Sequence, residues 1–265
     1  MFHVSRQVAA ALIALSAITA PAAAQQATQQ DLVRILQSGA LTDRYQAARD
    51  VLQIPPEQRD GALWIALGNE LQRVASESQA RTDALIAGRQ VPWLGEDYGD
   101  YHEALVEAVS QWRDPRALQP LISGGSGMLA TRGIIRFGDA AVPVLIEAAR
   151  TGHRSETVGV LLALQILLEG FQVEPRIPPT PLSMMSREQI LQLAHELFRP
   201  RPGAFRDLAI EAGLALATGD EELRQRAESL AREPGLVAQF TGIGDPNEIA
   251  RLQNAIRARL DRHPR

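Results

Sequence analysis

The densest group of side chains that could do chemistry is Glu96, Asp97, Asp100, His102 and Glu103, carboxylates and an imidazole crowded into one short stretch. Asp100 and Glu103, three apart, share one face of a helix, and oxygen donors of this kind suit calcium or magnesium. A metal-dependent enzyme or hydrolase built on residues 96–103 is therefore one reading of the chain. Its competitor is helix electrostatics, since acidic side chains at a helix start favour the positive end of the dipole. The glycine-turned, alternating acidic spacing of a calcium loop is missing, so the expected cofactor and metal complement is none. Ser126 sits in Gly124-Gly125-Ser126-Gly127, but position 128 is Met where a nucleophile elbow needs glycine, and helix precedes it where that elbow needs a strand. A linker is the reading there. His195-Glu196 lacks the second histidine that would complete a zinc-protease helix. The expectation is a chain with no catalytic residues.

Composition narrows the chemistry further. All 27 basic residues are Arg and none is Lys, which removes Schiff-base catalysis, a P-loop lysine and a Ser–Lys pair. With no cysteine there is no thiol nucleophile and no thiolate metal site. The formal charge of −4 gives no basic face for nucleic acid, so no nucleic-acid partner is expected. Trp93, Tyr98, Tyr101 and Trp112 concentrate aromatics around the Gly- and Pro-containing stretch 88–99. They serve either inter-helix packing or, through Trp93 and Tyr98, as anchors for a protein partner.

The elements that must position these groups begin after a leader. Arg6 is the only charge ahead of an apolar run from Val8 to Ala20, and Ala22-Ala23-Ala24 precedes a polar stretch. That is the layout of a signal peptide over 1–24, cleaved before Gln25, with export to a bacterial periplasm or beyond. The run is too short for a membrane-spanning helix, so no stable insertion is expected after cleavage. The remainder, 25–265, reads as helices throughout. Pro56 suits the first turn of a long helix from about Glu57 to Ser78, and Asp114-Pro115 starts another at cap and first-turn positions. Pro120, read as lying inside that helix, should kink it. Thr157 to Leu168 is apolar almost all round and should be the most buried helix. Pro175, Pro178, Pro179 and Pro181 brace a semi-rigid connection. Helices resume at Ser186, at Phe205, at Asp220 and at Asp245-Pro246.

Met128 to Arg150 organises the chain. Ala130, Ile134 and Ile135 form one apolar stripe, Gly138 supplies a left-handed stop, Asp139 has the side chain of an N-cap, and Val142, Leu145, Ile146 and Ala149 form a second stripe. Neither helix buries its stripe alone, so stacked neighbours are required. The run Gly138-Asp139-Ala140-Ala141-Val142-Pro143-Val144-Leu145-Ile146-Glu147 resembles the second helix of a HEAT-like (armadillo-type) repeat. Asp114-Pro115-Arg116-Ala117-Leu118-Gln119-Pro120-Leu121-Ile122 is similar to the same segment one unit earlier, and the likeness is best over residues 100–170. A single tetratricopeptide-like spacing also occurs over 61–92, through Trp64, Leu67, Gly68, Leu71, Ala80, Ala87 and Pro92.

The HEAT-like resemblance implies an all-α fold, a right-handed α-solenoid of stacked antiparallel helix pairs over 25–265. It implies a scaffold without catalysis of its own that binds another protein through its concave side. A purely structural envelope component is the third reading. In such repeats the second helices line the concave side, here Asp114–Ile122, Asp139–Arg150, Ser186–Phe198 and Asp220–Arg232. Their outward positions Arg116, Gln119, Glu147, Arg150, Gln192 and Glu196, with Trp93 and Tyr98 from the aromatic stretch, are the candidate partner-binding residues, a mixed-charge set suited to a protein.

Overall fold

A computed structural model describes residues 28–92, 97–124, 128–152, 154–170, 178–203 and 206–265, and among these every regular element is helical. The leader and its cleavage site, Trp93, Glu96, Ser126 and residues 171–177 of the proline-rich connection lie outside the described residues. The chain divides at Trp112/Arg113 into two compact units.

The first unit contains α1 (28–38), α2 (Leu41–Leu52), α3 (Gly61–Ile86) and α4 (Asp97–Ser110). α4 packs against both α2 and α3. Tyr101, Leu105 and Val109 of α4 are buried, as are Leu63, Leu67, Leu71 and Val74 of α3. α3 starts later than the proline signal implies. Pro56–Gln58 forms a separate 3-10 turn, and the Asp60 carboxylate accepts the Leu63 N–H at 2.7 Å as the true N-cap. Residues 61–86 are one uninterrupted helix, so the hairpin implied by the tetratricopeptide-like spacing over 61–92 is not formed. The Gln29 amide of α1 joins this start, donating to the Gln58 carbonyl and accepting the Asp60 N–H, each at 2.8 Å.

The second unit contains α5 (Leu118–Gly124), α6 (Met128–Ile135), α7 (Val142–Thr151), α8 (Arg154–Glu169), α9 (Met184–Leu197), α10 (Leu208–Ala217), α11 (Glu221–Arg232), α12 (Pro234–Thr241) and α13 (Pro246–Arg262). Sequential helices pack as α5 with α6, α7 with α8 and α9 with α10. Next-nearest contacts run in two series, α5–α7–α9 and α6–α8–α10. α8 touches α5, α6, α7 and α10, and Val160, Leu161, Ala163, Leu164, Ile166 and Leu167 are buried in it. Its nearly continuous apolar surface is therefore used on several sides, in keeping with the sequence reading.

Gly138 ends the α6 segment in the left-handed region at φ 52°, a conformation that a side chain disfavours. Asp139 is not an N-cap. A 3-10 turn, Gly138–Ala141, intervenes, α7 starts at Val142 without a side-chain cap, and Asp139 instead accepts the Ser183 N–H at 2.8 Å. Pro120 does not kink a helix either. Asp114 caps a 3-10 turn, Pro115–Ala117, and α5 begins only at Leu118, so Pro120 falls in its first turn, where no N–H is needed. α9 is capped by Ser183, whose Oγ accepts the Ser186 N–H at 3.1 Å, and begins two residues before Ser186. α10 begins at Leu208 behind the Asp207 cap rather than at Phe205. α12 is a further helix between α11 and α13, with Pro234 and Gly235 in its first turn. The caps of α11 at Asp220 and α13 at Asp245 lie where the sequence places them.

Candidate functional site

Among the described residues, the stretch 97–103 does not come together as a metal centre. Asp100 and Glu103 point to solvent from α4, His102 is half-buried, and Glu96 and the Asp97 side chain lie outside the described residues. Among the described residues no three His, Asp or Glu side chains gather as a ligand set. The aromatics near it are mostly packing. The Tyr98 hydroxyl, half-buried, donates to the Val74 carbonyl at 3.1 Å and toward Glu77 at 3.3 Å. Burial and the Glu77 charge push its pKa up to about 12. Trp112 stacks on Trp64 with ring centroids 5.8 Å apart. Trp93 is outside the described residues.

What α4 does hold is an ionic centre that helical pattern alone does not reveal. Glu70 of α3, only 6% exposed, accepts Arg44 at 3.0 Å, Arg73 through two nitrogens at 2.7 and 2.8 Å, and the buried Tyr101 hydroxyl at 2.5 Å. Burial pushes this carboxyl up, but the hydrogen bonds from Arg73 and Tyr101 and the charges of Arg73 and Arg44 outweigh it. Glu70 is held below the ordinary glutamate range. A depressed carboxyl contributes stability that is complete above its unfolded pKa, about 4.3 for glutamate, and is lost as pH falls through the folded value. All three tryptophans, Trp64, Trp93 and Trp112, belong to this unit, so their fluorescence follows it alone. In urea titrations by fluorescence, wild type should lose stability on acidification below about pH 4.3, and Glu70→Gln should show a flatter dependence over that range. Parallel slopes would show that Glu70 is not the group responsible. At the start of α3 the Arg59 guanidinium lies 4.9 Å over Trp64 and donates to the Ile54 carbonyl at 2.9 Å and to Gln111 at 2.8 Å, tying the ends of α2 and α4 to this point.

The second unit carries the other nominated residues, and five of them share the exposed side of the α5–α7–α9 series. Gln119 of α5 donates to Ser123 at 3.2 Å; Glu147 and Arg150 lie on the outer side of α7; Arg150 reaches across to Glu196 of α9 at 2.9 Å. Gln192 is exposed on α9, one turn before Glu196. Arg116 lies ahead of α5 and is held locally, with its N–H and guanidinium on Asp114. That hydrogen bonding draws the half-buried Asp114 carboxyl down to about 2. Arg116 and Arg150 are thus exposed cations with carboxylate partners already in place. His195, also on α9, stands 3.3 Å from Asp220, the cap of α11. An open groove of 450 Å³ runs between α5 and α7 to the start of α8, and Gln119 and Glu147 are among its lining.

A second buried ionic centre lies at the α10 start. Glu211 accepts Arg201 at 2.9 Å and, more closely, Arg206, which also donates to the carbonyls of Arg199 at 2.7 Å and Phe240 at 3.0 Å. Burial pushes the Glu211 carboxyl up, while Arg206 and Arg201 pull against it. This carboxylate and Glu70 are both buried and held by arginines, and both act as structural ties. No family model matches the chain, and no curated protein or solved structure matches it either.

Proposed function

We propose that this protein is an exported scaffold of HEAT-like helix pairs that binds another protein through the face formed by α5, α7 and α9, without catalysis of its own. The observation that carries the reading is the packing order of the second unit. Helices pair with their sequence neighbours and also with the next but one, which is how a helical repeat buries stripes that no single helix can bury. One row of that order, α5–α7–α9, buries Leu121, Leu145 and Leu193 and turns Gln119, Glu147, Arg150, Gln192 and Glu196 outward. The face is polar, of mixed sign and built on rigid helices, which suits a protein surface better than a polyanion. Among the described residues no helix is long and apolar enough to cross a membrane.

Export rests on the leader, Val8–Ala20 followed by Ala22-Ala23-Ala24. Intact mass of the protein from an extracellular or periplasmic fraction should correspond to a chain starting at Gln25. A mass retaining residues 1–24 would reject the cleavage. For the binding face, a tagged chain should capture a stoichiometric protein partner. The double variant Arg116→Glu/Arg150→Glu sets like charges against Asp114 and Glu196, and it should weaken that partner's binding by more than about 2 kcal/mol while leaving the circular dichroism unchanged. Unchanged affinity would remove these arginines from the interface.

A further inference from the structure

We infer that the groove walled by α11, α12 and the segment after α9 takes an acidic side chain, aspartate or glutamate, carried on an extended segment of another protein. None of the residues assigned to the α5–α7–α9 face lines it, so the inference stands or falls apart from that reading. The groove is open, with a volume of 570 Å³, and its charged lining is Arg199 and Arg226. Ala204 and Phe205, neighbours outside the described residues, are uncharged and leave that balance as it is. The two cations are in different states. Arg226 is committed, donating to the Phe198 carbonyl at 2.6 Å and to Glu222 of its own helix at 2.8 Å. Arg199 is exposed and engages only its Nε, on the His195 carbonyl at 2.7 Å. Its two terminal nitrogens have no hydrogen bond or ion pair among the described residues. The end of that planar fork offers two parallel N–H groups, the geometry a carboxylate accepts.

The rest of the lining suits a peptide around that carboxylate. Pro200, Leu236 and Phe240 supply apolar surface, and its base is fixed. Phe198 and Phe240 are buried edge to face with ring centroids 6.1 Å apart, and the Phe240 carbonyl accepts the Arg201 N–H at 3.0 Å. Gln225 comes from α11 and Gln239, exposed, from α12. Each amide carries donors and an acceptor, which is what a peptide backbone needs. Small-molecule sites bury most of their ligand, which a groove open between two helices does not do; a segment running on past both ends needs no enclosure. An exposed ion pair contributes little alone, so the carboxylate provides selectivity and its apolar neighbours provide most of the affinity. A cationic segment meets repulsion from Arg199.

Fluorescence anisotropy with the purified full chain and an N-terminally labelled peptide amide, Ser-Leu-Glu-Leu-Glu-Leu-Ser, tests this, with the Arg-for-Glu peptide as its counterpart. The acidic peptide should bind saturably and the basic one should not. Arg199→Gln should weaken binding at least about 5-fold, and Arg199→Lys should fall between it and wild type, because it keeps the charge and loses the fork. Gln239→Glu, on the other helix, sets a like charge in the groove and should also weaken binding; it decides the matter if Arg199→Gln alters the circular dichroism. Equal binding of the two peptides, no binding of either, or wild-type affinity in these well-folded variants would overturn the proposal. Inorganic phosphate at matched ionic strength should leave the peptide bound; its displacement by phosphate would make this a simple anion site and reject the peptide ligand. Self-association of the wild-type chain that Arg199→Gln suppresses would make the occupant a second copy, against the assignment to another protein.

Discussion

Arg206→Ala should lower the unfolding free energy of the second unit by about 3–5 kcal/mol, because it leaves a buried carboxylate without its main partner. The Arg206 and Glu211 side chains are 3% and 4% exposed, so neither is relieved by water. Arg201, 35% exposed, remains 2.9 Å from Glu211 but cannot replace the carbonyl bonds that Arg206 makes to Arg199 and Phe240. The guanidinium also lies 5.7 Å over the Phe240 ring, so its loss opens the join between α10 and α12. Arg201→Ala should cost clearly less. Replacing both charges, Arg206→Met with Glu211→Met, should cost less than Arg206→Ala alone, since no uncompensated charge is then left inside. The unit contains no tryptophan, so urea unfolding is followed by far-ultraviolet circular dichroism. If Arg206→Ala is no worse than Arg201→Ala, the buried pair is not the tie described here.

Leu145→Ala should cost about 2–5 kcal/mol, while Glu147→Ala, two residues away on the same helix, should stay within about 0.5 kcal/mol. Leu145 is fully buried where α7 meets α8, and truncation leaves a void that packed helices only partly close. Glu147 faces solvent and contributes no contact that holds the fold. The contrast isolates the orientation of α7, on which the placement of the whole α5–α7–α9 face depends. Equal losses in chemical denaturation would mean that the face is assigned to the wrong side.

The orientation of α7 was legible because Val142, Leu145, Ile146 and Ala149 repeat at helical spacing, and all four are buried. The caps at Asp220 and Asp245 and the almost wholly apolar α8 were legible for the same local reason. The misread cap at Asp139 has a cause outside the local pattern. Asp139 has a capping side chain, but that carboxylate is taken by a backbone N–H 44 residues away, which no local pattern contains. The buried charges were the larger omission. The sequence reading singled out neither Glu70 nor Glu211, yet each meets arginines supplied partly by other segments. A signal did exist: Glu70 sits between Leu67, Leu71 and Val74 on a buried stripe, and Glu211 sits in a helix that is apolar on nearly every side. A charge inside an apolar stripe calls for a partner, and both sites lie beside arginines in sequence, Arg73 and Arg206.

The candidate binding residues divide differently. Gln119, Glu147, Arg150, Gln192 and Glu196 lie on one series of helices because each was chosen as the outward position of a periodic helix. The ion pair between Arg150 and Glu196, 46 residues apart, depends on the packing of α7 against α9 and was not legible. The acidic stretch at 96–103 drew attention by density alone, and density in sequence does not bring ligands to one point when a helix spreads Asp100 and His102 around its axis.

Site-specific photo-cross-linking tests the binding face most directly. A benzophenone amino acid is placed in turn at Gln119 and Gln192 on the α5–α7–α9 series, and at the exposed Arg251 of α13, which lies outside that series. Irradiated in the exported fraction, the first two positions should each yield the same single cross-linked protein, and Arg251 should yield none. Cross-linking of that protein at Arg251 but not at Gln119 or Gln192 would contradict the assignment of this face as the surface where the chain meets its partner.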